Sequence, residues 1–166
     1  MGFNTTLPMR EPQNKELAQA GIEYLRQGFY AQAFLLLSES SAEKEPAVKF
    51  ALGLCYLCAD EVDMAISCFE QAIFLIKAFS SSWPKLSENS DVYTRLVKKQ
   101  ICEQSYLLPM SEAYIKHFPQ FAKNTVLMSL IHAYCQKGMF DQARELSVGL
   151  TGQVFEEFKK KMTDGR

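Results

Sequence analysis

Histidine, tryptophan, proline and glycine are all sparse in this chain of 166 residues, which holds two, one, six and eight of them. His117 and His132 form no H-E-x-x-H, and no recognisable set of nucleophile, base and orienter surrounds either one. The glycines are scattered and build neither G-x-G-x-x-G nor G-x-x-x-x-G-K, so no phosphate-cradling loop is expected. Charge of neither sign is in excess. Eighteen Lys and Arg against nineteen Asp and Glu give a net charge of -1, which removes the global attraction that drives binding to nucleic acid or anionic lipid. No apolar run approaches the ~18 residues of a spanning helix, and Met1 to Pro12 lacks the charged-then-apolar order of a secretory signal. Five cysteines, an odd number, argue against a fully paired secreted framework and for a reducing compartment. A cytoplasmic protein with no enzymatic activity and no nucleic-acid, membrane, metal or cofactor partner is expected.

What is present points to helices. The chain is 48% apolar and 22% charged, the balance of a soluble globular protein of one domain or one short array. Ala and Leu together number 33 against 20 for Val, Ile and Thr, which favours helix over strand. Apolar residues recur three and four apart, as in Leu17, Ala20, Gly21, Tyr24 and again in Leu127, Leu130, Ile131, Tyr134. Prolines 8, 12, 46, 84, 109 and 119 mark boundaries, because each removes an amide donor and clashes with the preceding turn. The spacing predicts an all-α chain with helices near 13–27, 30–41, 46–59, 62–79, 90–106, 110–118, 121–137, 140–149 and 152–162. Between the fourth and fifth, Ser80 to Asn89 reads as a polar loop that leaves Trp83 exposed.

An internal repeat runs through this pattern. Gly21, Tyr24, Ala33 and Leu37 correspond to Gly53, Tyr56, Ala65 and Phe69, each 32 residues on. A third copy follows 78 residues after the second and carries Leu52 to Leu130, Tyr56 to Tyr134, Asp60 to Gly138, Val62 to Phe140 and Ala65 to Ala143. Small residues at Gly53, Ala65 and Ala72 allow two antiparallel helices to approach, while Tyr56 and Phe69 are expected to fill the space between hairpins.

A small residue, a Tyr three later, a turn, then Ala and an aromatic four beyond resembles the tetratricopeptide repeat, most clearly in Gly53-Leu54-Cys55-Tyr56 and Ala65 to Ala72. The resemblance covers about 100 residues. It implies a right-handed superhelical α-solenoid of about four antiparallel helical hairpins plus a C-terminal capping helix. An N-terminal extension over 1–12 would precede a single domain over 13–166, with repeats at 13–45 and 46–79, a diverged hairpin and loop at 80–119, a repeat at 120–150 and a cap at 151–166. In the cap, Val154, Phe155, Phe158 and Met162 share one side of a helix and Glu156, Glu157, Lys160 and Lys161 the other.

The resemblance also implies a concave surface lined by the first helix of each hairpin. The repeat register then assigns Lys15, Ala18, Ile22, Leu25 and Arg26 to it, followed by Ala47, Phe50, Leu54, Leu57 and Cys58, and by Thr125, Met128, His132, Cys135 and Gln136. Only Lys15 and Arg26 of these are cationic, so the carboxylate-gripping ligands of some family members are disfavoured. An apolar groove of this kind suits a hydrophobic or amphipathic segment of another protein, or Phe3, Leu7 and Met9 of the chain itself. The expected function is a protein-interaction adaptor. A secretion-type chaperone holding an apolar client and a self-associating structural subunit are the alternatives. Cys55-x-x-Cys58 lies mid-helix without a second ligand pair and reads as packing. Arg95, Lys98 and Lys99 read as a solvated helix face.

Overall fold

A computed structural model describes residues 11–40, 44–77 and 91–163. Among these residues there are nine α-helices, two short 3₁₀ turns and no strand. The helices are α1 (Glu11–Arg26), α2 (Tyr30–Glu39), α3 (Pro46–Cys58), α4 (Val62–Lys77), α5 (Asp91–Cys102), α6 (Glu112–His117), α7 (Pro119–Gln136), α8 (Phe140–Ser147) and α9 (Glu156–Thr163). The 3₁₀ turns are Ser105–Leu107 and Gln153–Phe155. The expectations for Trp83 and for Phe3, Leu7 and Met9 lie outside the described residues. Pro46 and Pro119 occupy the first position of α3 and α7, where a missing N–H leaves no bond unmade. The expected start of α7 at 121 therefore moves back to the proline. The expected fifth helix stops four residues early, because Gln104 adopts a positive φ of 55° and turns the chain into the first 3₁₀ segment.

Three helix pairs share one turn. Gly28, Asp60 and Gly138 have φ of 85°, 64° and 78°, and these are the positions related by the 32- and 78-residue shifts. The N–H groups of Phe29, Glu61 and Met139 donate to the carbonyls of Tyr24, Tyr56 and Tyr134, at 2.9 Å in each case. Those of Gly28, Asp60 and Gly138 donate to Leu25, Leu57 and Cys135 at 3.1, 3.2 and 3.0 Å. This is the Schellman arrangement, which satisfies the last carbonyls of the first helix through a residue in left-handed conformation. α1 and α2, α3 and α4, and α7 and α8 are thus hairpins closed by the same backbone clasp.

The helix crossings repeat as well. Ala33, Ala65 and Ala143 are completely buried. A Cβ built on Gly21 would stand 2.7 Å from Leu37 Cγ, and one on Gly53 would stand 2.5 Å from Phe69 Cε1. In the third hairpin the corresponding pair is Ile131 and Ser147, both buried, so the large residue has moved to the first helix and the small one to the second. Phe69 fills space within its hairpin, against Phe50 at 5.6 Å between ring centroids, whereas Tyr56 spans hairpins and meets Phe34 at 5.5 Å. Tyr56 therefore spans two hairpins as expected, and Phe69 meets Phe50 inside its own.

The stacking order departs from the chain order at one place. α1 and α2 pack on α3, while α4 packs extensively on α7. Tyr134 Oη donates to Glu70 Oε1 at 3.1 Å, Gln136 Nε2 donates to Asp60 Oδ1 at 3.0 Å, and Lys137 pairs with Asp63. α7 therefore takes the place next to the second hairpin, and the stretch that carries α5 and α6 leaves the stack. These two helices make no hairpin with each other. α5 lies against the two 3₁₀ turns, and α6 lies against α3 and α7. Where four hairpins were expected, the described residues form three plus this insert. α9 follows α8 and buries Phe158, with Phe155 of the preceding turn beside it, and exposes Glu156, Glu157, Lys160 and Lys161.

Candidate functional site

The face formed by the first helices of the three hairpins is where the repeat register puts the groove. The insert lies across it. Met110 and Ile115, 7% and 0% exposed, belong to one buried cluster with Ala18, Ile22, Leu25, Phe50 and Leu54. Leu57 is half-buried against the same cluster. Met128 is buried in the adjoining cluster, which includes Tyr106 of the insert. His132 is half-buried, with Nδ1 3.4 Å from Tyr106 Oη. Arg26 remains exposed and pairs with Glu23 at 2.6 Å. Cys58 is exposed at the end of α3. Seven of the fifteen expected groove residues (Ala18, Ile22, Leu25, Ala47, Phe50, Leu54 and Met128) are buried, six of them in the cluster that also holds Met110 and Ile115 of the insert.

Polar contacts fix the insert in place. Ser111 caps α6 by accepting from the N–H of Tyr114 at 3.1 Å. Glu112 Oε2 accepts from the N–H of Ala47, in the first turn of α3, at 3.4 Å. Glu45 at the α3 N-cap makes no side-chain capping bond, so a carboxylate from a distant segment supplies the acceptor that this helix start needs. Burial pushes the Glu112 carboxyl above its ordinary value, and the Ala47 N–H and Lys116, whose Nζ is 3.8 Å away, pull it back. Ser129 Oγ donates to the carbonyl of Tyr106 at 2.6 Å, which anchors the 3₁₀ turn on α7.

Two open clefts flank the insert. One, of about 410 Å³, lies between α1 and α6 and includes Lys15, Ile22, Arg26 and Lys116 in its wall. The other, also about 410 Å³, runs between α5, the 105–111 segment and α7, and its wall includes Val97, Ile101, Met110 and Met128. Arg26 and Ser111 belong to both, so the clefts meet at that point. Along the outside of the insert runs a file of rings that the sequence reading missed. Tyr114, Phe118, Phe121 and Tyr93 follow one another at 5.4, 6.1 and 5.7 Å between centroids. They come from three helices and from Phe118 between α6 and α7, so no single periodicity could reveal them.

Cys55 and Cys68 are buried among apolar side chains. Cys55 is pushed up to about 12 by burial and by the neighbouring Cys58 and Cys68, and burial also raises Cys58 and Cys68. Raised values disfavour the thiolate that nucleophilic or redox chemistry requires. Among the described residues no group of three or more His, Cys, Asp or Glu is placed to hold a metal ion, and no helix is long and apolar enough to cross a membrane.

No family model, curated protein or solved structure matches the chain.

Proposed function

We propose that the protein is a cytoplasmic, non-enzymatic protein-interaction module built as a right-handed α-solenoid of tetratricopeptide type, an adaptor that binds a hydrophobic or amphipathic segment of another protein along its first-helix face. One observation carries this reading: the chain's own residues 105–117 already lie on that face, with Met110 and Ile115 buried in it and Glu112 on the start of α3. A surface that holds an extended turn and a short helix from its own chain has the shape and polarity to hold one from elsewhere. The two clefts joined at Arg26 are the parts of the face still open to solvent, and their mixed lining suits apolar anchors with a polar rim. The five free thiols support a reducing compartment.

The test is quantitative co-purification with the full chain and with a variant carrying Lys15→Glu and Arg26→Glu, both at exposed positions. A folded partner retained by the wild type and lost by the variant supports the adaptor. A single unfolded client would favour a chaperone, and recovery of the chain alone as an oligomer would favour a structural subunit. A retained set that the substitutions leave unchanged would overturn the site.

A further inference from the structure

The covered face carries more information than an open one would, because the segment lying on it displays which chemistry the face accepts. Residues 105–117 meet it first through Tyr106, buried with Met128 and held on α7 by Ser129, and then through three contacts in a fixed order. Met110 enters the buried cluster, Glu112 places a carboxylate on the backbone N–H of Ala47, and Ile115 enters the same cluster one helical turn after Ser111 caps the helix. Around these contacts Ala113, Tyr114, Lys116 and His117 are exposed. Preceded by the buried Tyr106, the segment thus presents Met-x-Glu-x-x-Ile to the face.

The segment is also held less firmly than the hairpins it covers. α6 is six residues long, below the length at which a helix is stable without tertiary support. Open clefts of about 410 Å³ lie on both of its sides, and Leu108 just before it is 55% exposed. A short helix bordered by open clefts is a unit that opens before the longer helices beneath it.

We propose that residues 105–117 are a displaceable internal stand-in for the partner, and that the partner segment is a short helix start of the form apolar-x-acidic-x-x-apolar, which takes the face by exchanging with them. This rests on the protein-interaction reading given above and names the chemistry of its ligand. Glu112 acts as a positioning group: it sets the register by engaging the free N–H at the α3 start, while Met110 and Ile115 provide the buried surface. An internal competitor is present at a high effective concentration, so the face is closed until a partner with the same pattern, or a second weak contact on the open clefts, shifts the balance.

Two measurements decide it. In hydrogen exchange on the unmodified full chain, the amides of α6 are expected to exchange at least about tenfold faster than those of α3 and α7. Exchange of all three at one common rate would overturn the proposal, because the segment would then be inseparable core. In the second, a labelled synthetic peptide with the sequence of residues 105–118 is titrated against the wild type and against Ile115→Ser. The variant is expected to bind it at least about tenfold more tightly, since its own segment competes less well. A control peptide with Gln and Ser at the Glu112 and Ile115 positions should bind neither. Equal failure of both proteins to bind the parent peptide, or equal binding of parent and control, would overturn the pattern. If the variant does not fold, the exchange result on the wild type stands as the deciding one. A captured partner that lacks the pattern would leave the interaction module intact and remove this inference alone.

Discussion

Gly53 faces the ring of Phe69 so closely that a methyl group at position 53 would stand 2.5 Å from Cε1 and 2.6 Å from Cδ1. The ring is fully buried and has Phe50 beside it at 5.6 Å, so it has no room to retreat. Gly53→Ala gains about 1 kcal/mol in helix propensity, but overpacking costs about 1 to 3 kcal/mol, and the blocked ring puts this site at the upper end. The urea midpoint should fall. Ala65→Leu, at another fully buried crossing, should lower it by a similar amount. Unchanged midpoints in both would mean that α3 and α4 do not cross where the repeat register puts them.

Asp60 holds the left-handed turn position that Gly28 and Gly138 hold in the other two hairpins. Asp60→Gly removes the cost of a side chain at positive φ, worth about 1 kcal/mol, and loses one exposed bond from Gln136 Nε2, 3.0 Å long, worth about 0.5 kcal/mol. A small rise in thermal midpoint is expected. Gly138→Ala should act in the opposite direction by about 1 kcal/mol, although nothing lies within 4 Å of the added carbon, and calorimetry on the pair separates backbone strain from steric contact.

His132 is held below its ordinary value of 6.5, first by burial and then by Lys161. The folded protein thus binds fewer protons here than the unfolded chain. The stability that depends on neutral His132 is complete above about pH 6.5 and is lost as pH falls from there through the folded value. Glu112 has the reverse sign, because its raised carboxyl gives stability that grows as pH falls through its folded value. Thermal midpoints between pH 7.5 and 5 for the wild type and His132→Gln isolate the histidine: the difference between the two proteins should shrink on acidification. A constant difference would remove His132 from the pH response.

Native thiol labelling should divide the five cysteines. Cys58 and Cys102 are exposed, Cys135 is half-buried with its thiol donating to the carbonyl of Met162 at 2.9 Å, and Cys55 and Cys68 are buried. At pH 8 a bulky maleimide should react with Cys102 and Cys58, the latter slowed by its raised value, and reach Cys55 and Cys68 only in denaturant. Mass spectrometry of labelled peptides gives the order directly, and early modification of Cys55 would contradict its burial.

Local signals and distant ones fared differently in the sequence. Turn residues and three-to-four spacing are encoded within a few positions, which is why nine helices were legible to within a few residues and why Asp60 aligned with Gly138. The register also proposed a first-helix face running from Lys15 to Gln136. What covers that face was not legible. Glu112 reaches Ala47 across 65 residues, and Ile115 shares no spacing with any repeat, so the insert's position follows from tertiary packing that no local period records. The exchange of large and small at Ile131 and Ser147 was hidden for a related reason: complementarity belongs to the pair, and a position-by-position alignment sees only two mismatches.

The common clasp makes the first two hairpins interchangeable in a concrete sense. Deleting the 32 residues from Phe29 to Asp60 would join Gly28 directly to Glu61, so that α1 ran through its own turn into α4. The backbone would need no new conformation at the junction. Gly21 would then face Phe69, and it offers the ring the same empty space that Gly53 does, so a shortened chain keeps both the turn and the crossing. The same excision toward the third hairpin would set Gly21 or Gly53 against Ser147, small against small, and leave a hole where Ile131 now sits. Evolution by whole-unit gain or loss is therefore open at the N-terminal end of this fold and closed at the other.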